Sequence, residues 1–489
     1  MLRRLPLEVW LLVIDELGAE GEYDALEAFA EASEGLLKER AERYIPEKMT
    51  FRTKEAVTSI NLRQRWAGPK KVRILGEIRS EQLEIKRAEW PVHDFDLRSL
   101  LLDLACFDIE YLVLWDVTFP TVLTFWRLVC TFPRWIFLRD VRFAKTAIDA
   151  RTLSAFRLPS ACKLFLVVLP EQSDMDRRRS LATHPAGLLE MILAQTQASP
   201  SPWSNITALT LIDVILPTAA TFGRLLCAFP ALKRLKIVRH FMFSEHGFNL
   251  SDVPMLSKLT KIVLDEDFLL WSDPQSVHDL VDLLIQSGAS RRLEGIDVWL
   301  SPSSRVGTSI DIALNRLVTH AGQSLKYLRL NEVVQDKLPL FNEASTYAAP
   351  STACCFNISA NTHLEHLVVQ VEITHEGGSP LALLLELLHQ VTLAHISNID
   401  LLFIFTDKAD LAKLWADLPH LDAALSKTSF KTLREVEMVF CPENEFTDIP
   451  EALVESCLPK LDARRILRTW LVHSIRVDRP SGTMNIELD

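Results

Sequence analysis

The sequence predicts an α/β repeat solenoid over residues 61–489, preceded by a small all-α domain in residues 1–60. Three observations lead there. A stretch of 27 residues returns without gaps 97 positions later, a six-residue strand pattern recurs along the chain, and the opening MLRRLPLEVWLLVIDEL has apolar residues at helical spacing.

Two arginines before an apolar run could also begin a secretory signal. Here Glu8 cuts into the run and Asp15 with Glu16 close it, so only Val9 to Ile14 is unbroken. A signal core needs roughly 7 to 15 apolar residues. Nor does any segment, LALLLELLHQV at 381–391 included, reach the roughly 20 apolar residues of a membrane helix. The expectation is an intracellular protein of the cytoplasm or nucleus with no membrane partner. Pro6 suits the first turn of a helix. With Glu8 at 0° and about 100° per residue, Val9, Trp10, Leu11, Val13, Ile14 and Leu17 spread over roughly 100° to 300°. That arc is about twice the usual width for a surface helix, which suits a helix with two neighbours.

The repeated block begins at Leu112 and again at Leu209. Between Leu112 and Leu138, 14 of 27 positions are identical, among them Asp116/Asp213, Pro120/Pro217, Phe125/Phe222, Arg127/Arg224, Cys130/Cys227 and Pro133/Pro230. Each copy predicts a short alternating strand, a proline turn, a helix, then a second proline and the next strand.

The strand pattern, apolar-x-x-apolar-x-apolar, starts at Ile109, Ala161, Ile206, Leu232, Leu259, Leu293, Leu325, Leu364, Ile396 and Leu433, with an incomplete copy at Trp135. Neighbouring starts are 26, 26, 45, 26, 27, 34, 32, 39, 32 and 37 residues apart. The shorter intervals match the leucine-rich repeat, about 20 to 29 residues long, and the sequence is therefore expected to form an irregular leucine-rich-repeat horseshoe. Only LKYLRLN at 325 carries the asparagine of regular repeats, and 170–186 and 340–360 read as loops.

Net charge −11 and a pI near 5.7 argue against nucleic acid as a partner, because phosphate binding needs a basic footprint. The eight cysteines show no C-x-x-C spacing and read as buried thiols, not as a disulfide framework or a zinc site. N-x-S/T matches at Asn205, Asn249 and Asn357 carry little weight in an unsecreted chain. No Gly-rich phosphate loop is present. His363 and His366, three apart on a strand, point to opposite faces, and Asp265, Glu266 and Asp267 read as a charged turn. No metal, no cofactor and no catalytic residue are expected.

LPLEVWLLVIDEL, followed by DALEAFAEAS and AERYIPEKMTF, resembles the F-box, whose opening reads L-P-x-E-apolar and which binds the Skp-type adaptor of cullin-RING ubiquitin ligases. Leu5, Pro6, Glu8, Val9 and Leu17 match, and Ile14 falls one residue late for the family's isoleucine. The resemblance spans about 45 residues. Joined to irregular leucine-rich repeats, it is similar to a large group of fungal F-box proteins. It implies a non-catalytic subunit in which Leu5, Pro6, Glu8, Val9, Trp10, Val13, Ile14 and Leu17 dock on the adaptor, and through it on a cullin. The repeats would hold an unknown substrate protein. The other reading is a leucine-rich-repeat scaffold not coupled to ubiquitination.

Period-2 alternation sends alternate strand residues outward. The outward series is aromatic at first, basic around 234–261 and acidic at the end, where it runs through Asp400, Glu435 and Glu437. Aromatic and arginine residues are the usual anchors of interfaces, so the expected substrate contacts are Trp115, Arg139, Arg234, Lys236, Lys261, Trp299, Tyr327 and Arg329.

Overall fold

A computed structural model describes residues 6–20, 22–45, 48–51, 71–75, 111–115, 118–119, 121–130, 135–139, 141–143, 152, 156, 158, 163–167, 186–194, 202–248, 256, 258–300, 309–332, 356–373, 381–391, 395–405, 408–442, 454 and 456–471. The chain divides into two compact units, Met1–Ile215 with Arg224–Leu232, and Leu216–Gly223 with Lys233–Asp489.

In the first unit, α1 (Leu7–Glu20), α2 (Tyr23–Ala32) and α3 (Leu36–Tyr44) pack around Ile14, Leu26, Ala30 and Ala41. The chain then enters β1 (Lys48–Phe51), β2 (Lys71–Leu75), β3 (Tyr111–Trp115), β4 (Thr118–Phe119), α4 (Val122–Val129), β5 (Trp135–Arg139), β6 (Arg142–Phe143), β7 (Lys163–Val167), β8 (Ala186–Gly187), α5 (Leu188–Ala194) and β9 (Ala208–Leu216). Strands β1-β2-β3-β5-β7-β9 pair in that order, all parallel. β4, β6 and β8 form a separate small sheet.

After α6 (Ala219–Cys227), whose residues are shared between the two units, the second unit holds β10 (Arg234–Phe243), β11 (Lys261–Leu264), α7 (Glu266–Trp271), α8 (Pro274–Gln286), β12 (Gly295–Leu300), α9 (Ser309–Ala321), β13 (Tyr327–Glu332), β14 (His366–Ile373), α10 (Ala382–Gln390), β15 (Asn398–Phe405), α11 (Lys408–Leu425), β16 (Glu435–Pro442), α12 (Pro459–Ala463) and β17 (Leu467–Leu471). Its strands pair in chain order, every pair parallel.

Two expectations are corrected here. The chain is an α/β fold on all-parallel main sheets with helices, not a leucine-rich-repeat horseshoe behind a separate all-α domain. Within the 1–60 segment read as helical, KMTF alternates polar and apolar residues, forms β1 and pairs in parallel with β2. The helices therefore lead straight into the sheet, inside one compact unit that runs to Ile215. The strand pattern also understates the strands: β9, β10, β14, β15 and β16 are 8 to 10 residues long. Alternation persists beyond the six-residue signature, as in NIDLLFIF, where every second residue is buried. β9 and β10 stay in the ladder by way of left-handed residues, Asp213 (φ 51°) and Arg239 (φ 65°), the local kinks by which strands absorb a break in alternation.

The two copies of the repeated block build matching local structure. Phe125 meets Phe143 edge-on at 5.4 Å in the first, and Phe222 meets Phe241 at 5.5 Å in the second. Trp126 packs 4.6 Å from Trp203 beside the first pair. In the second copy Thr218 caps α6, its Oγ1 accepting from the Thr221 amide at 3.1 Å, the hydrogen bond that makes threonine a good cap. Beyond β11, Asp265 accepts from the Asp267 amide and caps α7, which gives the acidic VLDEDF run a structural role. Asp273 caps α8 through Ser276, with Pro274 in its first turn.

Inward strand residues, from Leu235 and Ile237 through Val436, Met438 and Phe440, are almost wholly buried. At about 25 cal/mol per Å² of apolar surface, these rows are the main source of stability. Cys227 and Cys441 are free thiols whose burial raises their pKa, Cys441 to about 11. Among the described residues no helix is long and apolar enough to cross a membrane.

Candidate functional site

Two surfaces present side chains that the fold itself does not use. The first is on α1. Ile14 is fully buried and Leu17 packs against the same core, while Trp10 leans on Phe29 with ring centroids 5.3 Å apart. On the other side Leu12 is 67% exposed and Val9 and Val13 37% each, while Leu7, 46% exposed, opens the helix on the same side as Ile14. At about 100° per residue, Val9 and Leu12 lie roughly 140° and 160° from Ile14. Leu36, at the start of α3, is 57% exposed. An apolar stripe left in water on a helix whose opposite side is already packed marks an interaction surface.

What holds α1 in this orientation is polar. Asp15 accepts from Arg40 Nε at 2.8 Å, from Arg40 Nη2 at 3.1 Å and from the Tyr44 hydroxyl at 2.8 Å. These hydrogen bonds, Arg40 first, hold the Asp15 carboxyl below the usual carboxylate range. Bonding to Asp15 raises both Arg40 and Tyr44. Tyr44 also lies flat against Gly18, where an added Cβ would meet the ring at 2.4 to 2.8 Å. A larger residue there would separate α1 from α3.

Of the expected adaptor contacts, Pro6, Glu8, Val9 and Val13 are exposed, Trp10 is half-buried, and Ile14 and Leu17 face the core. Those last two hold the helix and are not open to a partner. Leu5 lies outside the described residues. Leu12 belongs to the surface but was not among the expected contacts; with Glu8 at 0° it stands at about 40°, between Glu8 and Glu16 and outside the wide apolar arc.

The second surface is the outer face of β10–β17. Parallel pairing aligns outward residues in rows across the strands. One row runs Arg234, Lys261, Gly295, Tyr327, His366, Asn398, Glu435. The next includes Val263, Asp297, Arg329, Val368, Asp400, Glu437 and Arg468. Gly295 has no side chain, and the stem of Lys261 lies across it, 3.3 Å from where a Cβ would stand. Its ammonium thereby reaches the Tyr327 ring, 4.7 Å from the centroid, a cation–π geometry. His366 stands edge-on to Tyr327 at 5.2 Å, with Nε2 2.6 Å from Asp400 Oδ2.

Around Asp297 the electrostatics are dense. Asn331 donates to Asp297 at 3.1 Å, and Arg329 Nε donates to Asn331 at 3.0 Å. Burial raises the Asp297 carboxyl, against the pull of Arg329, Asn331, Lys261 and Lys236. Burial lowers the Lys261 ammonium, and the charges of Arg234 and Arg329 lower it further. Burial likewise raises the Tyr327 phenol. Such perturbed, half-buried groups gather at functional sites more often than elsewhere.

No protein-family model matches the chain, and no curated protein matches it. The functional reading therefore rests on these two surfaces.

Of the expected substrate contacts, the structure brings Lys236, Lys261, Tyr327 and Arg329 together around Asp297, with Arg234 beside Lys261. Trp299 is half-buried one row further along, paired in register with Asn331. Arg139 is half-buried on β5, which belongs to the first unit, and Trp115 pairs with it in register. Gly295, Asp297, Asn331, His366 and Asp400 were not singled out as contacts. They occupy outward positions, but pattern alone does not say which outward residues touch across strands. His366 opens β14, while His363 precedes the strand and is exposed. Among the described residues, no group of His, Cys, Asp or Glu has metal-binding geometry.

Proposed function

We propose that this chain is the substrate-recognition subunit of a Skp-cullin-F-box type ubiquitin ligase, acting without chemistry of its own. The exposed stripe of α1, Val9, Leu12 and Val13, docks on the Skp-type adaptor. The outer sheet face of the second unit holds a substrate protein. A ubiquitin-charged enzyme carried by the cullin then meets a substrate lysine at high effective concentration.

The observation that carries this reading is the exposed stripe itself, on a helix whose opposite side packs through Ile14 and Leu17 and whose sequence matches the F-box opening at Pro6, Glu8 and Val9. The test is capture of a purified Skp-type adaptor by the full chain. Leu12→Asp with Val13→Asp should abolish capture while leaving the circular dichroism spectrum unchanged. An intact protein that captures no adaptor overturns the proposal.

A second reading, a protein-binding scaffold independent of ubiquitination, is favoured by one observation: α1–α3 run directly into β1 and share its compact unit. On that reading the helices cover the start of the sheet. Deleting residues 1–45 would then lower the melting temperature of the remainder and expose it to aggregation; a docking role leaves the remainder stable.

A further inference from the structure

The outer face of β10–β17 is electrically polarised, and the direction of that polarity is across the strands. Over β10 to β13, Arg234, Lys236, Lys261 and Arg329 stand against two carboxylates, Asp297 and Asp265. Over β15 and β16 the outward charges are Asp400, Glu435 and Glu437. Val368 on β14 lies between them, and Tyr327 stands at the start of β13 beside it.

Part of each charge is neutralised locally. Lys236 pairs with Asp265 at 3.6 Å, Glu435 with Arg468 at 2.8 Å, and Asp400 sits against His366. Arg234 is exposed, Glu437 is half-buried, and neither makes an ion pair among the described residues. Lys261 is held between the like charges of Arg234 and Arg329, close enough for both to oppose its protonation. Four cations at this end face two carboxylates, Asp297 and Asp265, so an acidic segment brought from outside complements it.

The two ends are far apart. Five strand-to-strand steps separate β11 from β16, about 24 Å at roughly 4.8 Å per step. A small molecule does not bridge that distance, whereas about seven residues of extended polypeptide do, at roughly 3.3 Å each.

We propose that this face binds an extended protein segment laid across the strands, with acidic residues over β10–β13, apolar residues over Tyr327 and Val368, and basic residues over β15–β16. The polarity works as an orientation filter: the same segment turned end for end places like charges together at both ends, which electrostatic complementarity rejects. The inference rests on the reading of this face as the substrate surface. Adaptor capture is measured on α1 in a different assay, so the two fail separately.

The experiment uses the full chain and three fluorescein-labelled nine-residue peptides of one composition. In the first, two glutamates precede five alternating leucine and threonine residues and two lysines; the second is its reverse, so that both chain directions are sampled; in the third the charged residues alternate through the sequence. At least one polar peptide should bind ten-fold or more tightly than the alternating one by fluorescence anisotropy, and its binding should weaken as salt rises. Arg234→Glu and Glu437→Lys, one at each end of the face, should each weaken that binding several-fold. The doubly swapped protein should bind the reversed peptide in preference. Equal binding of all three peptides, no binding of any, or a preference unmoved by the swap in a protein with an unchanged melt overturns the proposal.

Discussion

The helix α1 and the outer face of β10–β17 both offer unused side chains, but in opposite chemical terms. On α1 the exposed large apolar residues are Leu7, Val9, Leu12 and Val13, and the polar residue Asp15 is spent internally, on Arg40 and Tyr44. On the sheet the apolar residues are spent internally, in rows from Leu235 to Phe440, and charge is displayed. An apolar stripe gains affinity from area and discriminates little; a patterned charge field discriminates more than it binds. That contrast suits one constant partner on the helix and one selected partner on the sheet.

The sharpest way to break the comparison is to exchange the roles of two neighbouring residues on α1. Ile14→Ala removes a fully buried side chain from the small core with Leu26, Ala30 and Ala41, and should cost about 2–4 kcal/mol in urea unfolding. Leu12→Ala, on the exposed side, should change stability by less than about 0.5 kcal/mol while weakening adaptor capture. Equal stability losses would mean that both sides of α1 are packed in solution.

Next in size is Gly18→Ala. Its Cβ would stand inside the Tyr44 ring, and overpacking of this kind costs about 1–3 kcal/mol. Loss of the Tyr44–Asp15 hydrogen bond should accompany it, read as a fall of the Tyr44 phenol pKa toward its ordinary value. Asp15 itself gives a pH dependence with a definite sign. Its folded-state pKa is lowered, so its contribution is fully present above the unfolded value of about 3.9 and is lost as pH falls through the folded one. Melts between pH 6 and pH 3 should therefore show a drop that Asp15→Asn largely removes.

Much of this was legible in the chain. The duplicated block announced strand, turn, helix and strand twice, and Phe125 and Phe222 seed equivalent aromatic contacts. Alternation in the strand pattern identified the outward residues, Lys261 and Arg329 among them. Strand β1 was not legible: KMTF is four residues long, and a family resemblance drew the whole segment toward helix. The side of α1 that faces inward was hidden because an apolar arc on both sides carries no such information; it is decided by Asp15, whose partners Arg40 and Tyr44 lie 25 and 29 residues away. The Lys261–Tyr327 contact was hidden for a similar reason, since it depends on strand register and on a missing side chain at Gly295.

The smallest effect tests that last contact. Gly295 has ordinary strand geometry, so alanine there should gain about 0.4–1 kcal/mol from a less flexible unfolded chain. Against that, the new Cβ crowds Lys261 Cγ and Cδ at 3.3 and 3.4 Å and lifts the stem off the sheet. The two effects nearly cancel, and the net change in stability should stay within about 1 kcal/mol. The titration of Lys261 separates them. Burial first, and the neighbouring arginines second, depress its pKa, so in the folded protein it sheds its proton earlier than in the unfolded chain, and stability rises with pH between the two values. A stem pushed into water loses its largest depressing influence. Gly295→Ala should therefore raise the Lys261 pKa toward that of an ordinary lysine, as read by NMR of the methylated amine, and flatten the alkaline rise in stability. An unchanged Lys261 titration would show that the ammonium is held by Tyr327 alone, and that the gap at Gly295 does not place it.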